Sequence, residues 1–369
     1  MLDNKRPRTQ PLEQSSPGLF AKILIKLSAF FTRGKNFAFI EGGLYVHSKH
    51  ISAKLQARPG YPKDFSGRAF IRFSPRWFRG GQTTVGAILV SGFGRFGNSI
   101  IQTLNATELA HVLECQLILH HRFDLIRNST VNFSHGITLR QTSHRLSGES
   151  LGPLILWRTR AMNGTALLSS PCSPLSSATR TAMSEALKWP QVANHSSKGS
   201  LTLHIRSGDV FSERPHPGYG QPPLSFYTRV ILHNRPTKVV LLLEDNLNPV
   251  AAKLVSWCQA RGIPVTKNSG GLESAVSELL AAGAVAAGRG TFVPAALSLK
   301  PKERDIYLFE PGSEPLLCDR LHTIYEVRDA DGKYAREILD HNWNNTPAQK
   351  KLMVSYPEAS LTDVSKRKS

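Results

Sequence analysis

The sequence is poor in cysteine and in acidic residues. Its 4 cysteines lie far apart and form no Cys-x-x-Cys pair, so neither a zinc site nor a disulfide framework is indicated. No stretch reaches the roughly 18 to 20 apolar residues of a membrane span. With 46 Lys and Arg against 27 Asp and Glu, the net charge is +19, which favours acidic partners: a nucleotide diphosphate, anionic lipid or nucleic acid.

The sequence shows no signal segment, and we therefore expect a cytoplasmic protein. The alternative location is the lumen of the endoplasmic reticulum or Golgi, where Asn-x-Ser/Thr sequons become glycosylated. Such sequons begin at Asn105, Asn128, Asn132, Asn163, Asn194 and Asn344.

Composition shifts divide the chain into four regions. Residues 1–83 form a basic, partly disordered leader, 84–195 a first α/β domain, 196–312 a second α/β domain, and 313–369 a C-terminal strand, helices and polar tail. Within the leader, helical spacing over 19–31 predicts a basic amphipathic helix. That helix either contacts an anionic membrane peripherally or packs on the domain. The leader also interleaves basic and aromatic residues, but it carries no RNA-binding signature, so we expect no nucleic-acid partner.

From residue 84 onward, strand and helix patterns alternate. This alternation predicts an α/β fold with parallel sheets covered on both faces. Helices are predicted near 98–115, 179–189, 224–234, 249–261, 272–282 and from 293. Strands are predicted near 85–90, 116–121, 137–140, 154–157, 201–206, 238–245, 263–267, 284–287, 305–309 and 323–327.

The stretch 200–227 is the centre of this organisation. Leu201, Leu203 and Ile205 alternate with polar residues as in a buried strand, and the strand leads directly into Arg206 and a Pro- and Gly-rich loop. In open α/β sheets ligands bind beyond the carboxyl ends of strands, and an arginine there can hold a phosphate. The alternative is a strand end whose arginine pairs with a surface acid. The stiff loop can hold Tyr219 over a substrate.

A glycine turn at 91–98 follows another strand and precedes a helix, and it fits G-x-G-x-x-G. One interpretation is therefore a dinucleotide site. The second strand of the unit has no acidic residue where NAD requires one, although Arg122 suits the 2′-phosphate of NADP. An NADP-linked oxidoreductase is thus one alternative function. A non-catalytic sugar- or nucleic-acid-binding protein is another.

Three motifs resemble those of the fucosyltransferase superfamily, which includes the α-1,2-, α-1,6- and protein O-fucosyltransferases. The sequence 204–209 is similar to H-x-R-x-G-D, and 92–98 is similar to G-x-G-R-F-G-N. The segment 288–294, with Thr291 and Phe292, is similar to the S-x-S-T-F turn that binds nucleotide phosphates in these enzymes. The alternative is that Thr291 only caps the helix that follows this turn.

The resemblance implies a GT-B fold, two Rossmann-like domains facing a central cleft, and a metal-independent inverting transfer of fucose from GDP-fucose to a glycan or protein hydroxyl. It implies no further cofactor. Arg206 and Asn98 are the implied catalytic residues. The implied substrate-binding residues are Gly94, Arg95, Phe96, Gly97, His204, Asp209, Tyr219, Asp245, Arg289, Thr291 and Phe292.

The chain departs from the family pattern at three places. Ser99 replaces a frequent Gln, and Ser207 replaces the second arginine of H-x-R-R-G-D. At 281–283 an aspartate that binds the guanine edge is missing, and Glu278, Asp245 or Glu244 are its candidate substitutes. For the general base the candidates are Asp209, Glu213 and Glu108.

Overall fold

The computed structural model describes residues 37–40, 43–47, 70–72, 87–90, 95–113, 116–119, 130–132, 138–141, 154–157, 199–299, 302–310 and 322–366. The predicted helices over 19–31 and 179–189 lie outside the described residues, and so does Gly94. Peripheral membrane contact through the first of these helices therefore stays a prediction.

The N-terminal part of the chain builds an eight-stranded sheet in the order β1-β2-β3-β8-β4-β5-β7-β6. Its centre, β8-β4-β5-β7, is parallel, and the remaining pairs are antiparallel. Helix α1 (Phe96–Leu113) connects β4 to β5. The strands are β1 (Phe37–Ile40), β2 (Gly43–His47), β3 (Phe70–Arg72), β4 (Ala87–Val90), β5 (Gln116–Leu119), β6 (Thr130–Asn132), β7 (Thr138–Gln141) and β8 (Leu154–Trp157).

The second sheet has seven strands in the order β11-β10-β9-β12-β13-β14-β15, and all pairs except β14-β15 are parallel. Its strands are β9 (Ser200–Ile205), β10 (Lys238–Leu243), β11 (Val265–Asn268), β12 (Ala284–Ala287), β13 (Arg304–Phe309), β14 (His322–Val327) and β15 (Ser365–Lys366). Its helices are α2 (Leu224–Asn234), α3 (Pro249–Gln259), α4 (Gly271–Ala281), α5 (Phe292–Ser298) and α6 (Pro347–Ser355). The predicted α/β architecture with parallel sheets is confirmed.

Local sequence signals fix where several of these helices begin. Asn248 accepts a hydrogen bond from the Val250 amide at the start of α3, where Pro249 occupies the first helical position. At the start of α6, Thr346 and Gln349 form a reciprocal capping box. Both helices therefore begin at caps that satisfy amides left without an intrahelical partner.

Strand β9 lies at the centre of the second sheet, and all six of its residues are buried. Burial on both faces is expected of a parallel strand covered by helices on either side. The register places Leu243 of β10 beside Ile205, and Ala287 of β12 beside His204. The segments that follow β9, β10 and β12 therefore meet at one edge of the sheet.

Two segments differ from the sequence-based expectations. Strands β1, β2 and β3 lie within the region assigned to a leader, where no strand was predicted. At the other end, the expected polar tail is packed and ordered to Lys366, because Leu361 is buried and β15 pairs with β14. Arg229 fixes this segment, donating to the Thr362 carbonyl and to the Asp363 carboxylate.

No helix in the described part of the chain has the length and apolarity needed to cross a membrane.

Candidate functional site

The two strongest sequence motifs meet at the carboxyl edge of β9, β10 and β12. The residues 206–209 follow β9, Glu244 and Asp245 follow β10, and the turn 288–291 joins β12 to α5. Opposite them stands the start of α1 from the first sheet, which carries Arg95, Gly97 and Asn98. The site is thus built from both sheets.

The Arg206 side chain is 14% exposed and lies in a niche formed by Asp209, Tyr219 and Gly290. Its Nη2 is 3.5 Å from Asp209 Oδ1, and its Cζ lies 4.5 Å from the centroid of the Tyr219 ring. A Cβ atom at Gly290 would collide with Arg206 Nη1, and the φ of +132° there is one that side chains rarely adopt. We call this group the Arg206 niche.

An ion-pair chain joins the two sheets at this point. Arg95 Nη1 lies 2.6 Å from Glu244 Oε1 and 3.6 Å from Asp209 Oδ1, so Asp209 stands between two arginines. The side chains of Arg95, Asp209 and Glu244 are each about half exposed, at 55%, 46% and 46%. Exposed pairs of this kind are weak. An incoming anion with more charge than a carboxylate can therefore displace Asp209 and Glu244 from the arginines.

The glycine turn and the turn before α5 touch directly. Thr291 Oγ1 donates a 2.9 Å hydrogen bond to Asn98 Oδ1. A Cβ at Gly97 would lie 2.6 Å from both the carbonyl carbon and Oγ1 of Thr291, so only glycine fits. Thr291 stands at the N-cap of α5 but makes no side-chain capping bond, so the alternative of a mere helix cap is wrong. Its hydroxyl instead bridges to α1.

Aromatic rings extend this contact behind the turns. Phe96 and Phe292 pack edge to face with ring centroids 5.6 Å apart, and Phe292 also lies 5.2 Å from the His204 ring. The last position of the G-x-G-x-x-G pattern has to be glycine because Gly97 lies so close to Thr291, in the turn before α5. In a dinucleotide fingerprint the reason would differ, since the last glycine there allows the helix to pack on the strand of its own βα unit.

His204 is a buried and neutral imidazole at the end of β9. Burial, together with the neighbouring Arg206 charge, lowers the pKa of His204 to about 3. Its Nδ1 is buried and has no hydrogen-bond partner among the residues that the structure describes. A ligand group that hydrogen-bonds to this nitrogen would therefore satisfy an atom that is otherwise left unpaired.

Arg289 and Gln221 lie on the other side of the same turn. Burial lowers the pKa of Arg289, while the charges of Asp340 and Glu310 raise it. Gln221 is fully buried and donates to the carbonyls of Tyr219 and Arg289, and no group in the described part of the chain donates to its Oε1. Sequence reasoning missed Gln221, because a single amide in a Pro-rich loop forms no pattern.

The carboxylates proposed for the guanine edge have other neighbours. Asp245 Oδ1 accepts hydrogen bonds from Ser207 Oγ and from the Leu247 amide, and so holds the turn after β10. Glu278 Oε1 accepts a bond from Thr202 Oγ1 at 3.3 Å. The role of Asp245 in binding the base stays a prediction.

The general-base candidates are placed differently. Asp209 lies at the site between Arg95 and Arg206. Glu213 is exposed in the loop that follows, and the side chain of Glu108 lies outside the described residues.

Among the described residues, no group of three or more His, Cys, Asp and Glu side chains is arranged to hold a metal ion. A D-x-D spacing is present at Asp329 and Asp331. However, the Asp329 carboxylate is buried and accepts hydrogen bonds from Tyr356 Oη and the Ala335 amide, so it stabilises the turn after β14.

No protein-family model matches the chain, and neither does any curated protein. Among solved structures, POFUT1 in complex with GDP is 10% identical with a TM-score of 0.35, covering 62% of this chain and 99% of its own. The E. coli ADP-heptose lipopolysaccharide heptosyltransferase II is 12% identical with a TM-score of 0.34, covering 64% and 89%. A family 9 glycosyl transferase from Veillonella parvula is 9% identical with a TM-score of 0.34, covering 70% and 92%.

These TM-scores are below 0.5, so the likenesses assign neither a family nor an activity to this chain. What the molecule does has to be inferred from the residues of the site.

Proposed function

We propose that the protein is a glycosyltransferase of GT-B architecture that uses a nucleotide-sugar donor. The proposed donor is GDP-fucose, and the proposed acceptor is a hydroxyl of a glycan or protein. One observation carries the proposal: Arg206, Arg95 and the Asn98–Thr291 contact, which belong to three separate sequence motifs, lie together at one edge of the second sheet.

The chemistry of sugar transfer explains why such a site needs fixed cations. As the bond between the sugar and the diphosphate stretches, negative charge builds on the β-phosphate. A preorganised donor stabilises that charge because it does not have to reorient during the reaction. Arg206 is suited to this role, since its guanidinium is always charged and is held on three sides by the niche.

The neighbouring residues supply the remaining functions in this proposal. Arg95 is the second cation, and the diphosphate takes the place that Asp209 and Glu244 hold beside the two arginines. Asn98 orients the acceptor hydroxyl, and neutral His204 hydrogen-bonds to the nucleotide without adding charge. Transfer then proceeds with inversion and without a metal ion.

The mechanism is tested by replacing Arg206 with alanine. We expect Arg206→Ala to lower turnover of GDP-fucose by roughly 100-fold, comparable to the loss of one preorganised donor. Release of fucose to water measures this without a known acceptor, and EDTA in the assay tests the metal-free mechanism at the same time.

Arg214→Ala is the matched control, because Arg214 is an exposed arginine in the same loop. It should keep wild-type turnover. Near-normal turnover by Arg206→Ala, or complete loss of wild-type turnover in EDTA, would contradict the proposed mechanism.

A further inference from the structure

The ring of Tyr219 lies against the guanidinium of Arg206 rather than over an open site. The distance of 4.5 Å from Arg206 Cζ to the ring centroid is that of a cation–π contact. One face of the ring is therefore already covered. A substrate group therefore cannot stack on that face. The sequence-based interpretation had instead assumed that the loop holds Tyr219 over a substrate.

The loop that carries Tyr219 is held firmly. Residues Pro217–Tyr219 form a 3₁₀ turn in which the Gly218 amide donates to His216 Nδ1 at 3.1 Å. Gln221 Nε2 donates to the Tyr219 carbonyl at 2.8 Å, and the Trp343 amide donates to the Pro217 carbonyl at 3.2 Å. The His216 ring packs on the Tyr219 ring with centroids 4.7 Å apart. The position of the ring is thus set before any ligand arrives.

Two sides of the Arg206 niche, Asp209 and Tyr219, act differently on the guanidinium charge. Asp209 carries a negative charge that competes with a phosphate for the N–H groups of Arg206. Because the Asp209 side chain is 46% exposed, its ion pair with Arg206 is weak. The Tyr219 ring is neutral, and Arg206 Cζ lies over its face. A neutral ring does not compete with a phosphate for the N–H donors through charge, as a carboxylate does.

We propose that Tyr219 is a positioning residue that holds Arg206 in the orientation required to bind the β-phosphate, an inference that rests on the proposed function. The aromatic face performs this role, and the hydroxyl does not. When the diphosphate displaces Asp209, the Tyr219 ring remains to keep the guanidinium in place.

Two variants and two nucleotides test this role. Tyr219→Leu removes the aromatic face, and Tyr219→Phe removes only the hydroxyl. GDP carries the β-phosphate and GMP lacks it, so the ratio of their affinities reports on the β-phosphate site alone. Calorimetry should show that Tyr219→Leu weakens GDP binding by about 3- to 30-fold, the range of cation–π contacts from exposed to desolvated sites, and leaves GMP binding unchanged. Tyr219→Phe should match the wild type for both nucleotides.

Three outcomes would overturn the proposal. Unchanged GDP affinity in Tyr219→Leu would show that the ring does not hold Arg206. Equal losses of GDP and GMP affinity would show that the ring holds the loop and not the guanidinium. Weakened binding in Tyr219→Phe would assign the role to the hydroxyl, as in a direct substrate contact. A wild type that binds no nucleotide diphosphate would instead reject the proposed function itself.

Discussion

At the residue scale, the site combines a charged side chain with a neutral one at the end of a single strand. Arg206 carries the positive charge of a guanidinium, whereas burial and this charge keep the neighbouring His204 neutral by lowering its pKa. A second positive charge beside Arg206 would be costly in this buried position. His204 therefore links the stability of the fold to pH.

The sign of this link follows from the two pKa values of His204. Unfolded histidine has its ordinary pKa of 6.5, and the folded pKa is about 3, so the unfolded state takes up the proton first. The contribution to stability is fully present above pH 6.5 and is lost as the pH falls towards 3, by roughly 1.4 kcal/mol per pH unit. We predict that His204→Gln removes this dependence.

Urea unfolding of the wild type and His204→Gln at pH 7 and pH 5 measures the effect. Between these two values the wild type should lose about 2 kcal/mol more stability than the variant. All other residues are the same in the two proteins, so their contributions cancel in the comparison. Equal losses in the two proteins would contradict a neutral, buried His204.

At the scale of secondary-structure elements, the start of α1 and the turn before α5 form the contact between the two sheets. Gly97 fits against Thr291 because it has no side chain, and the Asn98–Thr291 hydrogen bond fixes the same two elements. Interiors packed this closely do not accept an added methyl group without movement.

We predict that Gly97→Ala destabilises the protein by about 1–3 kcal/mol, because its Cβ would meet backbone atoms of Thr291 that cannot turn away. Gly283→Ala is the matched control, since a Cβ at Gly283 meets no atom within 4 Å. Denaturant unfolding of both variants checks this. Equal stabilities would mean that the two turns are not in contact.

The elements of the second sheet could be predicted because their patterns are long and local. For example, β10 lies within the predicted strand 238–245, and α2 matches the predicted helix 224–234. Strands β1 and β3 were not predicted, because these runs of 4 and 3 residues lie in a basic region with no alternating strand and helix pattern, unlike the equally short strand β12. The ordered tail depends on Arg229, which contacts Asp363 from 134 positions away.

The residues of the candidate site, too, could be predicted only where they form a local motif. Motif resemblance singled out Arg206 and Thr291, which follow β9 and β12 at the same edge of the second sheet. The Arg95–Glu244 ion pair was not predicted, because it joins residues 149 positions apart in elements of different sheets. The contact of Tyr219 with Arg206 depends on how one loop folds back over β9, which residue patterns do not encode.

At the scale of the whole molecule, the net charge of +19 favours the approach of anionic ligands, an effect that salt weakens. A nucleotide diphosphate, a nucleotide sugar and NADPH would all be attracted. The net charge therefore does not distinguish a glycosyltransferase from an NADP-linked oxidoreductase. The distinction rests on the arrangement of side chains around Arg206. The cytoplasmic location and the peripheral membrane contact stay predictions.

Thermal unfolding of the wild type and Arg206→Ala in the presence of GDP, UDP, ADP, GDP-fucose and NADPH tests the central claim most directly. A ligand at 100 times its Kd stabilises the folded state by about 2.7 kcal/mol, so GDP and GDP-fucose should raise the wild-type Tm by several degrees. The same nucleotides should leave the Tm of Arg206→Ala nearly unchanged. Stabilisation by NADPH alone would contradict a nucleotide-sugar site, and equal stabilisation of both proteins by GDP would contradict a diphosphate site at Arg206.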